Sequence, residues 1–201
     1  MIYISFFRFK SLGYNTTFSA SPDIFENAIK EGRNDYDRQC YKLLLTGKYD
    51  CFHFPIVYRQ QDGKTFRDFL DTGWPPVYLV SDRIITLLNE NRITGWQSYP
   101  IVLYDKKGNL IEGYSGFSVI GKGGNYSMAW ERGFDKEKKK HFIESRGLYD
   151  LSQWDGSDFF LVSDEILITE RTMKLLKQNK VSAVEYENLS LLVDYTNIPR
   201  I

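Results

Sequence analysis

Apolar positions in this chain follow two rhythms, an alternation of period two and a stripe of period near 3.6. Each rhythm predicts a different element. Residues 1–10 alternate loosely and predict an opening strand. Ser21-Pro22-Asp23 has the composition of a helix start, with Ile24, Phe25, Ala28 and Ile29 on one face. A second helix is predicted over 37–46, stopped by Gly47. Residues 51–59 read as a strand through Phe52, Phe54, Ile56 and Tyr58, confined to an edge by Pro55, with Gln61-Asp62-Gly63 as the turn after it. Residues 71–76 form a stiff loop, because Pro75 and Pro76 fix φ.

The clearest segment begins at residues 77–80, a short apolar strand. Ser81 stands at the N-cap position of the helix that follows, and Asp82 in its first turn suits the helix dipole. Ile84, Leu87 and Leu88 recur at helical spacing, with Ile85 widening the stripe. The helix closes at Asn89-Glu90-Asn91, and residues 95–104 predict the next strand. Asp105-Lys106-Lys107-Gly108-Asn109 is a hairpin turn leading into a strand at 110–120. Residues 191–201 are apolar enough, through Leu192, Val193, Tyr195 and Ile198, to dock rather than trail.

Residues 79–101 return at 167–189 without a gap, at a constant offset of 88. Leu79, Arg83, Leu87, Leu88 and Asn91 come back unchanged as Leu167, Arg171, Leu175, Leu176 and Asn179, and Ser81 comes back as Thr169. An ungapped repeat keeps its geometry, so one structural unit is used twice, with the copies expected side by side about a pseudo-twofold axis. The pattern predicts an α+β fold: a single domain over 1–201, mainly antiparallel or mixed β-sheet, with a duplicated strand–cap–helix–strand unit (79–101 and 167–189).

Charge and cysteine content narrow the function classes. Lysine plus arginine and aspartate plus glutamate each number 26, so the formal net charge is zero and the basic face of a nucleic-acid binder is not indicated. Cys40 and Cys51 do not make a secreted disulfide framework. The apolar start meets Arg8 too soon for a signal peptide, and no stretch approaches the ~20 apolar residues of a membrane span. The expectation is a soluble cytoplasmic protein. Aromatic residues make up 16% of the chain, which favours sheet and aromatic contact surfaces.

Candidate chemistry is sparse. Cys51 and His53 would share a face on a strand, but no motif surrounds them. Two cysteines with His53 and His141 lack zinc-ligand spacing, so neither metal nor cofactor is expected. Gly121-Lys122-Gly123-Gly124 could cradle an anion but lacks the phosphate-loop patterns and reads as a flexible turn. Lys136-Glu137-Lys138-Lys139-Lys140 reads as a solvated loop or helix face. Two constellations set a tryptophan beside carboxylates: Trp130-Glu131-Arg132-Gly133, and Trp154-Asp155-Gly156-Ser157-Asp158 with an Asp-Gly turn before a strand at 159–163. Trp130, Glu131, Trp154, Asp155 and Asp158 are therefore the candidate partner-binding residues, since tryptophan with a charged rim suits an interface; the alternative is that both rings fill the core.

Val80-Ser81-Asp82-Arg83, Tyr99-Pro100-Ile101, Ile168-Thr169-Glu170-Arg171 and Glu185-Tyr186-Glu187-Asn188-Leu189 together resemble an immunity-protein family of bacterial polymorphic toxin systems, formerly a domain of unknown function. The likeness covers 77–121 and 154–189. It implies a cytoplasmic, non-catalytic protein that binds and blocks a cognate toxin domain, with partner specificity placed in 11–70 and 125–150. Two other readings stand beside it: a scaffold or assembly module presenting two similar faces, and an enzyme using Cys51, His53 or the Asp155/Asp158 pair.

Overall fold

The computed structural model describes residues 6–11, 16–20, 42–52, 55–72, 77–135 and 140–188. They form a mixed α+β domain of two sheets and two principal helices. An eight-stranded sheet contains β2 (Thr16–Ala20), β3 (Val57–Gly63), β4 (Phe69–Asp71), β5 (Tyr78–Ser81), β6 (Trp96–Tyr99), β7 (Val102–Tyr104), β8 (Leu110–Ile111) and β9 (Tyr114–Val119), in the order β6-β9-β5-β4-β2-β3-β7-β8. A six-stranded sheet contains β1 (Phe6–Ser11), β10 (Lys122–Asp135), β11 (Lys140–Asp150), β12 (Phe159–Val162), β13 (Glu165–Thr169) and β14 (Val184–Asn188), in the order β11-β10-β12-β13-β1-β14. Helices α1 (Asp82–Glu90) and α2 (Glu170–Gln178) follow β5 and β13.

The two orders are the same sheet built twice. Reading β6-β9-β5-β4-β2-β3 against β14-β1-β13-β12-β10-β11, every neighbouring pair has the same orientation, including the parallel pair β4–β2 against β12–β10. Registers agree as well. Val80 faces Phe69 and Ser115, while its counterpart Ile168 faces Phe159 and Phe7. Ser98 faces Phe117 as Tyr186 faces Phe9. The duplication thus extends well beyond the 23 residues legible in the sequence.

One strand of each copy is exchanged. β1 runs into β2 along the chain just as β9 runs into β10, yet β1 pairs with β13 and β14, and β9 pairs with β5 and β6. Each sheet therefore receives a central strand from the other half, and neither sheet can be complete without both halves.

Packing follows from this. Phe7 and Phe9 of β1, Tyr78 and Val80 of β5, Phe117 of β9 and Ile166 and Ile168 of β13 share one core with Ile84 and Leu88 of α1 and Met173 and Leu176 of α2. The opposite faces of these strands are buried too. Val77 and Leu79 enter a second core with Leu44, Tyr58 and Leu103, and Phe6 and Leu167 enter a third with Tyr149 and Phe160. Burial on both faces explains why residues 77–80 and 166–168 read as unbroken apolar runs rather than alternations.

Pro100 ends β6, so the strand expected over 95–104 is two strands, and they lie toward opposite ends of the eight-stranded order. Three residue steps cover about 10 Å at most, so the sheet must curl until its ends approach. The hydroxyls of Tyr58 on β3 and Tyr99 on β6 meet at 3.2 Å inside that curl. Elsewhere the sequence reading needs correction. The strand expected over 51–59 begins only at Val57, with Cys51 in a 3-10 turn, and β3 is not an edge strand but lies between β2 and β7. Gln61-Asp62-Gly63 belongs to β3, which pairs with β2 through a register shift. The strand expected at 110–120 is divided at Gly113, whose φ of 82° suits glycine. Lys122-Gly123-Gly124 opens β10 instead of forming a turn. The helix expected over 37–46 is described only at 42–45, ending at Gly47 with a φ of 74°. The helix expected from residue 21 and the docking segment 191–201 lie outside the described residues.

Candidate functional site

The junction between the copies is built from two carboxylates the repeat did not reveal as a pair. Asp68 precedes β4 and Asp158 precedes β12. Asp68 accepts from the Ser182 N–H at 2.8 Å, the Ser182 hydroxyl at 2.9 Å, the Ser81 hydroxyl at 3.2 Å and Arg83 Nη2 at 2.7 Å. Asp158 accepts from the Thr94 N–H at 3.1 Å, the Thr94 hydroxyl at 3.2 Å and the Thr169 hydroxyl at 2.9 Å, with Arg171 Nη1 at 3.6 Å. Ser81, Arg83 and Thr94 correspond to Thr169, Arg171 and Ser182, so each contact has its mirror in the other copy. Arg83 also donates to the Asn179 carbonyl at the end of α2, and Arg171 to the Asn91 carbonyl at the end of α1. The helices therefore run antiparallel, each receiving a cation at its negative end. Such reciprocal contacts are those of a two-fold axis. Burial opposes the charge of Asp68, but Arg83 and the N–H and hydroxyl of Ser182 hold its carboxyl below the usual range.

Ser81 does not cap α1 with its side chain, because its hydroxyl is turned to Asp68. Thr169 both donates to Asp158 and accepts from the Thr172 N–H at 3.4 Å, so it does cap α2.

The second feature is an arm. β10 pairs with β12 only at Lys122 and Gly124, while its antiparallel ladder with β11 runs from Asn125↔Asp150 to Asp135↔Lys140. Beyond Tyr126, the described strands of the arm pair only with each other. At roughly 3.3 Å per residue, the nine positions 127–135 extend about 30 Å. The register places Met128, Trp130, Arg132 and Phe134 of β10 opposite Gly147, Ser145, Ile143 and His141 of β11.

The root of the arm is firmly held. The Tyr149 hydroxyl accepts from Arg8 Nη2 at 2.8 Å and donates to Glu165, and Arg8 also pairs with Glu165 at 2.8 Å and Glu187 at 3.1 Å. Burial pushes the Tyr149 hydroxyl well above its ordinary range, and its bond to Glu165 adds to the shift. Tyr126 packs on Tyr149 with ring centroids 4.9 Å apart. At Gly124, where φ is 108°, an added Cβ would run into the Asp150 carbonyl.

The structure separates the five candidate partner residues. Trp130 and Glu131 are neighbours on the arm. Trp154 turns inward: its ring meets Phe6 edge-on at 5.1 Å and its Nε1 donates to the Ser157 carbonyl. Asp155 is exposed and organises the turn, accepting from the Lys122 N–H at 2.9 Å and the Ser157 N–H at 3.0 Å. The same turn thereby ties down the first residue of the arm. Asp158 is 7% exposed and occupied at the junction. Of the five, Trp154 and Asp158 are taken up by core and junction contacts, while Asp155 is exposed on its turn.

Of the catalytic candidates, Cys51 is an exposed free thiol in the 3-10 turn, where the alternation argued for a strand does not hold; Cys40, His53 and the lysines 136, 138 and 139 lie outside the described residues. The described residues contain no group of three or more histidine, cysteine or acidic side chains arranged to hold a metal ion. No helix among them is long and apolar enough to cross a membrane. Neither known protein-family models nor curated proteins match the chain.

Proposed function

We propose that this protein neutralises a cognate bacterial toxin domain by direct, tight binding in the cytoplasm, without catalysis. The observation that carries the reading is the arm. A two-stranded ribbon in water is marginal by itself and is stabilised when a further surface covers its apolar face. The arm's sequence carries Met128, Trp130, Phe134, Phe142 and Ile143, and its root is fixed by the Arg8–Tyr149–Glu165 network. A rigidly rooted element with aromatic anchors limits the ordering cost of association, the main quantity separating weak from tight interfaces of equal area. The junction carboxylates support the same reading, since their hydrogen bonds serve the fold. The resemblance noted in the sequence supplies the class of partner.

The test is co-expression with candidate toxin C-terminal domains of polymorphic toxin systems, with growth and direct binding both measured. Growth rescue with a 1:1 nanomolar complex that W130A weakens supports the proposal. A folded protein that neither rescues nor binds overturns it.

A further inference from the structure

Next to the root of the arm, a cleft of about 560 Å³ opens between the segment after the 42–45 helical turn and the parallel pair β10–β12. Its floor is apolar: Val119, Ile120 and Leu161, with Ile120 44% exposed. Its rim carries Lys48 and Lys122, and no carboxylate of the described residues lines it, although Asp155 accepts from the Lys122 N–H beside it. Neither lysine forms an ion pair among the described residues. Two ammonium groups without an ion pair thus flank the exposed Ile120. At the junction and helices Arg83, Arg171 and Lys174 are matched by Asp68, Asp158 and Glu170, whereas Arg92, Lys177 and Lys180 form no ion pair among the described residues.

We infer that this cleft receives an acidic segment of the protein partner, with carboxylates on Lys48 and Lys122 and an apolar side chain between them over Ile120 and Leu161. Charge complementarity selects an acidic occupant, and the open apolar floor gives it an anchor. Lys122 is also the first residue of β10, so the cleft continues the surface that begins along the arm. The lysine rim provides steering and register, and the floor provides the desolvated centre. This inference rests on the toxin-binding reading and names the chemistry of the toxin surface engaged.

The test uses the full chain in two measurements. In the first, the affinity of the toxin domain that the wild type neutralises is compared for wild type, K48E/K122E and I120D, with thermal unfolding of each variant as the folding control. Weakening by about 100-fold in the charge-reversed variant at unchanged melting temperature, with a shallower salt dependence than wild type, supports the cleft. A complex of unchanged affinity overturns it while leaving the toxin-binding function intact. In the second, amide shifts of the free protein are followed on titration with the peptide acetyl-Glu-Leu-Glu-amide. Millimolar binding that moves Lys48, Ile120 and Lys122, and disappears in K48E/K122E, supports the cleft even where no toxin complex forms. Absence of shifts at 10-fold excess over a millimolar dissociation constant (about 10 mM) overturns it.

Discussion

Asp158 accepts a hydrogen bond from the Thr94 N–H at 3.1 Å, joining two residues 64 positions apart and the second copy of the repeat to the first. Its mirror is Asp68 with the Ser182 N–H at 2.8 Å, across 114 positions. The pair works as a double latch: each carboxylate gathers donors from its own copy and from the other.

Removing either latch should therefore cost a similar amount. Asp68→Asn and Asp158→Asn are each expected to lose about 2 kcal/mol at neutral pH, measured by denaturant unfolding, since each leaves buried donors poorly matched. For Asp68 the cost depends on pH. Its folded pKa is lowered, so the carboxylate's contribution is present above its unfolded value of about 3.9 and is lost as pH falls through the lower folded value. The stability gap between wild type and Asp68→Asn should close as the solution is acidified below pH ~4. A gap that stays constant down to pH ~2 would mean the ionised form contributes nothing.

Strand exchange makes unfolding indivisible. Phe9 is 2% exposed and touches Phe69 and Tyr78 of the eight-stranded sheet as well as Phe159 of the six-stranded one. Phe9→Ala should cost about 4 kcal/mol and keep a single calorimetric transition, because both sheets share that core. Two resolved transitions would contradict the shared core.

Gly95 and Ala183 occupy the same place in the two copies, both left-handed, at φ of 82° and 63°. Replacing Ala183 with glycine relieves a conformation that costs an L-residue roughly 1 kcal/mol and should raise the melting temperature by about 2 °C. Gly95→Ala should do the reverse and more severely, because the new Cβ would meet the Phe159 carbonyl. Thermal unfolding of both variants decides the matter.

Ser81 and Thr169 look interchangeable as caps in the sequence, yet only Thr169 caps its helix in addition to binding a carboxylate. Thr169→Ala is expected to cost about 2 kcal/mol and Ser81→Ala about 1 kcal/mol. Equal costs would assign the loss to the carboxylate bonds alone.

Trp130→Ala should leave the melting temperature within about 2 °C of wild type, because Trp130 lies on the arm beyond its rooted part, while weakening the toxin complex at least 10-fold. A large loss of stability without loss of affinity would make Trp130 a folding residue and remove it from the interface.

The apolar spacings in 77–101 and 165–188 were sufficient to locate both helices, their flanking strands and their equivalence. Those elements are local, and their cores are specified by residues three, four or two positions apart. The split of 95–104 at Pro100 was also present in the sequence, since proline lacks a ladder donor. The Asp68–Asp158 correspondence was not legible, because it runs at an offset of 90 rather than 88 and each aspartate completes its site with residues of the other copy. Trp154 and Asp158 looked like an interface beside one another, but adjacent positions on a turn and strand point to different places, one into the aromatic core and the other to the junction.

What the chain determined by itself is thus its inventory of elements and the fact of duplication, both encoded in short-range periodicity. Only the tertiary structure decided that β1 and β9 change sheets, that the two halves latch through reciprocal carboxylates, and that the β10–β11 arm leaves the body of the protein. Strand partners are chosen by burial and register between residues as far apart as Phe6 and Thr169, and no local pattern of apolar positions carries that choice.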